Sequence, residues 1–368
     1  MKLVMFVDKP LPNERPTGIG MAAFNMALAL SGRGDEVHFV CRGETERETS
    51  LNDHLTVQTI RNYSRDNLRV ALDVLRRERP EIVHVHSTAA LPSLLLGRAL
   101  GRGIVVHSHG DEPLHPLRLA LMRKIGMNFS HRVVAVSNTT REGLIRSQRL
   151  SPAKVVVAYN GVDTEDFRPS TELHQVLTKY RLEDFDKIIL SIGALQERKG
   201  QWKIIQCLPE ILERWPHLVY VNVGRPYDRS YHARLMEGAE RLGVSKNVKL
   251  LVTVPHEDLV PLINSAYLCV HASIREPFGL ATVEEMACGK AVVAFDSGAM
   301  PEIIDDRVDG LLVPPNDQGA LTRSILELLG DSKLAETLGG AARTKVVTKF
   351  TWGQTASRLE TIYAGVLS

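Results

Sequence analysis

Long hydrophobic stretches are missing from this 368-residue sequence. No apolar run approaches the roughly 20 residues that a membrane-spanning helix needs. The first apolar run, Met1 to Val7, is too short for the core of a signal peptide and is interpreted as a buried strand. Cysteine is also scarce, since four cysteines lie far apart with no C-x-x-C pair. We therefore expect buried thiols in a reducing, cytoplasmic protein.

Low-complexity segments and internal repeats are absent as well, which excludes fibrous and solenoid architectures. The remaining composition, 44% hydrophobic and 24% charged, is typical of a soluble globular enzyme, and the length is sufficient for two domains. The net charge is only +2, but the first half of the chain is net basic and the second half is net acidic. The two halves are therefore expected to face different partners.

Short apolar runs rich in valine and isoleucine alternate with helix-length segments along the whole chain. Such runs are typical of strands buried on both faces of a parallel sheet. The predicted strands are 3–7, 37–41, 82–86, 104–107, 133–137 and 155–159 in the first half, and 188–192, 218–223, 248–252, 267–271, 291–295 and 311–313 in the second. The sequence thus predicts an α/β protein with two doubly wound, Rossmann-like domains facing a cleft. We predict domains at residues 1–165 and 166–350, followed by a C-terminal helix, 351–368, that crosses back to the first domain.

The most informative segment is Glu276-Pro-Phe-Gly-Leu-Ala-Thr-Val-Glu284, which follows a predicted strand. Pro277 and Gly279 break the strand, and a helix is predicted from Ala281 to Ala287. A glycine turn at a helix N-terminus can hold an anion, because the first backbone N–H groups lack partners and the helix dipole is positive there. Two carboxylates, Glu276 and Glu284, flank this turn. The combination indicates a ligand with both phosphate and hydroxyl groups, such as a sugar nucleotide.

Two further turns carry residues suited to phosphate. Arg198 and Lys199 follow the first strand of the second domain, and two cations there suit a diphosphate whose charge builds up as it leaves. In the first domain, Gly18-x-Gly20-x-x-Ala23 only weakly matches the dinucleotide fingerprint, because about ten residues separate it from the preceding strand. It is better interpreted as a glycine loop that lets a phosphate or an acceptor approach the backbone than as a nicotinamide-cofactor site.

Histidines end two predicted strands of the first domain, as His84-x-His86 and His107-x-His109. Alternation along a strand would place each pair on one side of the sheet, so a metal hydrolase is an alternative. The acidic and lysine ligands that such sites usually add have no evident place, and we predict no metal. His109, next to Gly110, is the favoured functional residue. The single D-x-D triplet, ending at Asp186, precedes a strand and is interpreted as solvated charge.

Together these features resemble the retaining glycosyltransferases of family 4, which have the two-domain GT-B fold. The resemblance covers nearly the whole chain, and its motifs in order are the glycine loop near 18, the strand-end pair 109–110, Val136-Ser137, Tyr159-Asn-Gly-Val-Asp163, the turn at 199–200, the 276–284 segment and Gly298-x-x-Pro301-Glu302.

The resemblance implies a metal-independent transfer of a sugar from a UDP- or GDP-sugar to a hydroxyl acceptor, with retained configuration and no cofactor. Glu276 is implied to contact the sugar hydroxyls and Glu284 the ribose hydroxyls. Lys199 is implied to bind the diphosphate. The further implied donor contacts are the backbone of Phe278, Gly279 and Leu280, with Gly18 closing over the diphosphate and His109 beside the reacting carbon.

The sequence departs from the family pattern in three places, the mildest being Thr17-Gly18 where the family usually has a Gly-Gly pair. Ala194 stands where the family usually has an arginine, so one diphosphate cation is missing there, and Arg198 is a candidate substitute. Glu285 stands where the family mostly has alanine. The departure at Ala194 leaves open a GT-B protein that binds sugar nucleotide with little or no turnover. A Rossmann oxidoreductase is the third interpretation, and the missing ribose-binding carboxylate disfavours it.

The acceptor side is less defined. Residues 113–141 contain five basic residues and no acidic one, together with apolar residues at helical spacings; the basic ones are Arg118, Arg123, Lys124, Arg132 and Arg141. One interpretation is an ordinary helix with an apolar core face and a solvated basic face. The other is an interfacial helix, in which basic residues meet anionic lipid at the inner membrane face. A soluble anionic acceptor would use the same charge. Nucleic acid is not an expected partner.

Overall fold

The computed structural model describes residues 1–11, 17–61, 63–86, 91–110, 117–226 and 229–368. The chain forms two compact units: unit 1 contains Met1–Gly161 and Trp352–Ser368, and unit 2 contains Val162–Thr351. Each unit is an α/β structure with a largely parallel sheet. No helix in the described ranges is long and apolar enough to cross a membrane.

Unit 1 is built on an eight-stranded sheet with the order β3-β4-β2-β1-β5-β6-β7-β8. The strands are β1 (Lys2–Pro10), β2 (Glu36–Arg42), β3 (Arg47–Asn52), β4 (Leu55–Ile60), β5 (Ile82–Val85), β6 (Gly103–Ser108), β7 (Arg132–Ala135) and β8 (Val155–Val157). The helices between them are α1 (Gly18–Ser31), α2 (Tyr63–Glu78), α3 (Leu91–Ala99), α4 (Leu117–Phe129) and α5 (Asn138–Gln148). The central strands are buried because helices cover both faces of a parallel sheet.

Two strands of unit 1 were not predicted. β3 pairs antiparallel with β4, and β4 pairs parallel with β2. Every residue of β3 is exposed, and β4 alternates between buried and partly exposed residues. Neither strand forms a continuous apolar run, because an edge hairpin has to bury at most one face.

Unit 2 contains a six-stranded parallel sheet with the order β11-β10-β9-β12-β13-β14. Its strands are β9 (Lys187–Ile192), β10 (Leu218–Val223), β11 (Val248–Leu251), β12 (Leu268–His271), β13 (Val292–Phe295) and β14 (Leu311–Val313). The helices are α6 (His174–Lys179), α7 (Gln201–Arg214), α8 (Arg229–Arg241), α9 (His256–Ser265), α10 (Leu280–Ala287), α11 (Met300–Ile303), α12 (Gln318–Gly330) and α13 (Ser332–Lys349). All six strands were predicted within about one residue at each end.

The last helix, α14 (Trp352–Leu367), returns to unit 1, as predicted. It packs against α1 and β6. Both carboxylate oxygens of Glu360 accept hydrogen bonds from Arg33, at 2.7 and 2.8 Å. The Thr355 hydroxyl donates to the Tyr159 carbonyl at 2.8 Å. The four cysteines are buried and unbonded to one another, as expected.

Candidate active site

The candidate site of unit 2 lies where the strand order reverses. β9 and β12 are neighbours at the centre of the sheet, but β10 and β13 continue from them in opposite directions. In doubly wound sheets, ligands usually bind beyond the carboxyl ends of the strands at such a reversal point. The first loop carries Lys199 and the second carries Glu276, the two residues singled out in the sequence.

Glu276 lies in the loop after β12, and the loop after β13 holds its main chain in place. The Glu276 carbonyl accepts a hydrogen bond from the Ala299 N–H at 2.8 Å. Gly298 adopts a positive φ of 60°, and a Cβ at this position would lie 2.3 Å from the Glu276 oxygen. Only glycine fits such a close approach. The Ser297 hydroxyl also donates to the Ser273 carbonyl at 2.6 Å, so the loops after β12 and β13 are joined at Ser273 and at Glu276.

Gly279 begins the helix that follows. It caps α10 with φ 101° and ψ 60°, in the left-handed region, and a Cβ there would lie 2.4 Å from the end of the Met300 side chain. Leu280 is the first residue of the helix, so its N–H and the next ones have no partner within the helix. The Phe278 ring is buried and packs edge-on against Phe350, with ring centroids 6.0 Å apart. The Phe278 side chain is therefore part of the core of unit 2 and does not face a ligand at this turn.

The loop after β9 brings a cation to Glu276. A short 3-10 turn, Glu197–Lys199, ends at Gly200, where φ is 73° and a Cβ would lie 2.0 Å from the Ala272 carbonyl oxygen. This contact holds the turn against the end of β12. The Lys199 ammonium consequently lies 2.5 Å from a carboxylate oxygen of Glu276, and both side chains remain partly accessible. A partly exposed cation beside a carboxylate can serve a ligand that carries both phosphate and hydroxyl groups.

Arg198, the candidate substitute for the missing arginine, is held close to the same loops. Its Nε donates to the Gln196 side chain at 3.1 Å, and one terminal nitrogen donates to the Arg275 carbonyl at 3.3 Å. Ala194 stands earlier in the loop, and its carbonyl accepts a hydrogen bond from the Gln201 side chain at 3.0 Å.

The carboxylates on α10 differ in environment. Burial raises the pKa of Glu284 to about 7, and the charges of Glu285 and Asp166 act in the same direction. Glu285, the departure from the family pattern, is completely buried and bonds to the Nε2 atom of His271 at 2.6 Å. Burial raises the pKa of Glu285, whereas His271 opposes that rise. The unusual glutamate thus has a specific partner at the end of β12.

Gly18 and His109, also predicted as site residues, belong to unit 1. Gly18 is the exposed first residue of α1, which Thr17 caps by accepting a hydrogen bond from the Gly20 N–H at 3.1 Å. His109 follows β6 and is partly exposed. Burial lowers its pKa to about 4, so the imidazole is neutral at pH 7.

Four histidines, with His109 at one end, stack on one face of the unit 1 sheet. Ring centroids of successive members lie 4.3 Å (His84–His86), 5.0 Å (His86–His107) and 4.7 Å (His107–His109) apart. The Tyr363 hydroxyl of α14 bonds to Nδ1 of His84 at 2.6 Å, and Nδ1 of His86 lies 3.0 Å from Nε2 of His109. Burial lowers the pKa values of all four imidazoles.

This stack bears on the metal alternative. Nitrogens of His84, His86 and His107 lie within 4.8 Å of one another, which makes them a group that offers metal ligands. The rings of His84 and His86 are each inclined by only 17° to that of His107. Imidazole lone pairs lie in the ring plane, so nearly parallel rings direct them side by side rather than toward one point, whereas zinc requires convergent ligands. The arrangement favours a packed stack of neutral rings over a metal centre.

Sequence reasoning missed several residues that shape the unit 2 site. Ser273 donates to a Glu276 carboxylate oxygen at 3.3 Å, and His271 lies behind α10 on Glu285. Gly200 belongs to the predicted 199–200 turn, but its close approach to Ala272 was not predicted. A single serine or histidine near a strand end forms no pattern by itself. The positive φ of Gly200 was signalled only by its place between a predicted turn and a helix.

The structure describes part of the basic segment 113–141 and shows where two of its arginines lie. Residues 113–116 and the side chains of 117–119 lie outside the described part of the chain. Arg123 is buried and donates to the Gly110 carbonyl at 2.6 Å, and Arg141 donates to the Val155 and Pro152 carbonyls at 2.8 and 3.0 Å. Both arginines donate to backbone oxygens, and the buried Arg123 is not part of a solvated basic face. Exposed residues of α4 remain, namely Leu121, Lys124, Asn128 and Phe129.

Solved structures share this architecture over the full chain. A sucrose-phosphate synthase from Thermosynechococcus elongatus superposes with a TM-score of 0.82, 19% sequence identity and coverage of 100% of this chain and 99% of that one. The Anabaena protein HepE, solved with UDP and glucose, gives a TM-score of 0.81 at 20% identity and covers 99% of this chain and 100% of that one. The two α/β units therefore have the fold of the GT-B glycosyltransferases.

Sequence relatives narrow the class. The family description "Glycosyltransferase Family 4" matches residues 16–166, and "Glycosyl transferases group 1" matches residues 177–345. A Mycolicibacterium smegmatis relative, named as a GDP-mannose-dependent phosphatidylinositol monomannoside mannosyltransferase, is 31% identical over 75% of each chain. An Arabidopsis thaliana relative, named as part of a phosphatidylinositol N-acetylglucosaminyltransferase, is 27% identical over 80% of this chain, which spans only 64% of that relative's length. The chain belongs to glycosyltransferase family 4, as the sequence motifs predicted.

Proposed function

We propose that this glycosyltransferase transfers a hexose from a nucleoside-diphosphate sugar to a hydroxyl acceptor, with retention of configuration and without a metal ion. The proposal rests above all on the 2.5 Å contact between Lys199 and Glu276 at the reversal point of the unit 2 sheet. A cation suited to diphosphate and a carboxylate suited to sugar hydroxyls are held there by three glycines that leave no room for a side chain, at 200, 279 and 298.

The donor is proposed to be a UDP- or GDP-sugar. A structural neighbour was solved with UDP and glucose, and a relative is named as dependent on GDP-mannose. Glu276 would accept hydrogen bonds from the sugar, and Glu284, about two helical turns on, from the ribose. The first N–H groups of α10, beyond Gly279, would face the diphosphate.

The proposed chemistry exchanges one bond at the anomeric carbon of the sugar. The bond from this carbon to the diphosphate oxygen breaks, and a bond to the acceptor oxygen forms on the same face. The acceptor proton goes to the departing diphosphate, so no protein nucleophile is required. Lys199 and Arg198 would stabilise the leaving charge in place of a metal ion. A neutral His109 is proposed to lie beside the reacting carbon and to donate or accept one hydrogen bond there.

The acceptor is proposed to be a lipid-linked or anionic molecule, because two relatives carry phosphatidylinositol in their names. We also propose peripheral contact with the inner membrane face through segment 113–141, made by fewer residues than the sequence suggested. Its candidates among the described side chains are Leu121, Lys124 and Phe129, since Arg123 and Arg141 are engaged elsewhere.

A second candidate function is sugar-nucleotide binding with little turnover. Ala194 supplies no cation at the position where the family usually has arginine, and Arg198 donates to Gln196 and the Arg275 carbonyl. If these bonds hold Arg198 away from the diphosphate, Lys199 alone would have to stabilise the leaving group.

Donor screening separates these possibilities. UDP-, GDP- and ADP-sugars are tested for protection against thermal unfolding, where a ligand at 100 times its dissociation constant adds about 2.7 kcal/mol. The sugar nucleotides that protect against unfolding are then incubated with the protein and one of two acceptors, phosphatidylinositol or inositol phosphate, or with no acceptor. Each reaction is run in the presence and in the absence of EDTA. Product with the donor's anomeric configuration, formed in EDTA, supports the main proposal. Protection without product supports the second, and a strict metal requirement contradicts the proposed chemistry.

A further inference from the structure

Four basic residues meet at the amino-terminal edge of the unit 1 sheet, the edge opposite to the strand end that carries His109. Arg98 lies in the last turn of α3, His131 and Arg132 lie at the start of β7, and Lys154 immediately precedes β8. We call these four residues the basic edge cluster. They come together because β7 and β8 are adjacent parallel strands that begin at the same edge.

Backbone contacts fix the cluster. The His131 Nδ1 atom accepts a hydrogen bond from the Ile104 N–H at 2.8 Å. Lys154 donates from its ammonium to the Asn128 carbonyl at 2.6 Å. A guanidinium nitrogen of Arg132 donates to the carbonyl of His131 at 3.1 Å. A terminal nitrogen of Arg98 contacts Nε2 of His131.

The hydrogen bond from Ile104 fixes which nitrogen of His131 is the donor. Burial lowers the pKa of His131, and the charges of Arg98, Lys154 and Arg132 lower it further, so the ring is neutral at pH 7. A neutral imidazole has one lone pair. The Ile104 N–H uses that lone pair at Nδ1, and Nε2 therefore carries the proton. The Nε2–H group and the Arg98 guanidinium are thus both donors, and neither can accept a hydrogen bond from the other.

The charge of the cluster is also uncompensated. None of Arg98, Arg132 and Lys154 forms an ion pair with any carboxylate of the described residues. The carboxylate of Glu81, at the start of β5 on the same edge, instead accepts from the Lys2 N–H at 2.9 Å. Burial lowers the pKa of Lys154, and the nearby charges of Arg98 and Arg132 add to that effect.

We propose that the basic edge cluster binds a phosphate-type oxyanion, such as a phosphate monoester. One phosphate oxygen would accept from His131 Nε2–H and Arg98, and the other oxygens would meet Arg132 and Lys154. Guanidinium groups bind phosphate with two parallel hydrogen bonds, and the ammonium acts as a point charge. Phe129, one residue beyond Asn128, exposes 53% of its surface. The phosphate can therefore belong to a lipid headgroup or to a soluble molecule, and the chemistry of the site is the same for both.

Binding is tested with glycerol 3-phosphate by calorimetry, in the absence of any sugar donor. The test and control variants both keep the unit 2 site intact, so a difference in binding between them does not depend on the proposed function. The test variant is Arg98→Gln/Lys154→Gln. Its matched control, Arg146→Gln/Lys246→Gln, loses the same charges at two exposed positions elsewhere. The expected result is a dissociation constant at least tenfold higher in the test variant and unchanged in the control.

The His131 ring supplies a second readout that general charge loss would not produce. Bound phosphate accepts from Nε2–H and favours the protonated ring, so the pKa of His131 measured by NMR should rise on addition of glycerol 3-phosphate. It should not rise in Arg98→Gln/Lys154→Gln.

Two arms distinguish the source of the phosphate. Vesicles of phosphatidylcholine with phosphatidic acid are compared with phosphatidylcholine alone, with glycerol 3-phosphate as competitor. Cluster-dependent binding to the acidic vesicles identifies a lipid headgroup, and binding of glycerol 3-phosphate alone identifies a soluble phosphate. The proposal is overturned if neither probe binds the parent protein better than it binds Arg98→Gln/Lys154→Gln.

Discussion

Ionised Glu284 is expected to lower the free energy of unfolding and to increase the affinity for the donor. One substitution, Glu284→Gln, can measure both effects. Burial raises the pKa of Glu284 from an ordinary value of 4.5 to about 7. Between these two values the folded chain holds a proton that the unfolded chain has released. The free energy of unfolding therefore falls as the pH rises from 4.5 to about 7, and it levels off above pH 7.

The size of this loss follows from the pKa difference. Each unit of pKa corresponds to about 1.4 kcal/mol, so ionised Glu284 costs at most about 3.5 kcal/mol above pH 7. Glu284→Gln cannot ionise and should remove this cost. We expect it to be more stable than the parent by about 2–3 kcal/mol at pH 8.5 and by much less at pH 5. Urea unfolding followed by tryptophan fluorescence measures the difference, because Trp202 and Trp215 lie in unit 2.

The same variant should bind the donor less well. If Glu284 accepts hydrogen bonds from ribose hydroxyls as a carboxylate, its loss should weaken UDP binding by about 1.5–3 kcal/mol at pH 8.5. Glu237→Gln, at an exposed glutamate of α8, is the control and should change neither property. A stability difference between Glu284→Gln and the parent that does not vary with pH would refute the reasoning about burial.

Three further predictions use other contacts of the two units. Gly298→Ala should destabilise unit 2 by about 1–3 kcal/mol and reduce turnover, because the new Cβ would strike the Glu276 carbonyl; Gly340→Ala, in open space on α13, should be neutral or slightly stabilising in the same urea series. Lys199→Ala should lower kcat more than donor affinity in steady-state kinetics, since its charge matters most as the diphosphate leaves. If Arg198→Ala leaves kcat unchanged while Lys199→Ala is severe, Arg198 does not replace the missing arginine. Tyr363→Phe should cost about 1–3 kcal/mol of stability, because a buried imidazole loses its hydroxyl partner; an unfolding free energy equal to that of the parent would contradict this.

The parts of the fold that sequence reasoning captured are those in which burial is continuous. The six strands of unit 2 are apolar along their whole length, so their runs mark them directly. β3 and β4 were not predicted, because an edge hairpin can be polar and still pair through its backbone. The site was predictable where glycine and charge share a short segment, as in 276–284.

Other parts depended on partners that are distant in sequence. Arg123 and Arg141 are basic residues in a segment without acids, and nothing local distinguishes them from solvated charges. Their partners are carbonyl oxygens of Gly110, Pro152 and Val155, which only the folded chain brings near. Glu285 similarly looked like a simple departure from the family until the fold placed His271 against it.

The path of the chain has a consequence for biosynthesis. Unit 2 is one uninterrupted segment, whereas unit 1 is assembled from two segments separated by that unit. On a ribosome, residues 1–161 emerge first, but unit 1 is incomplete until α14 has been synthesised. The Tyr363 hydroxyl of α14 contacts His84, which lies 279 positions earlier in the sequence. Unit 2 can complete its own core earlier, because all its strands emerge before α14 does. We therefore expect unit 2 to finish folding before unit 1. The contact between Tyr363 and the histidine stack should form only after α14 has been synthesised.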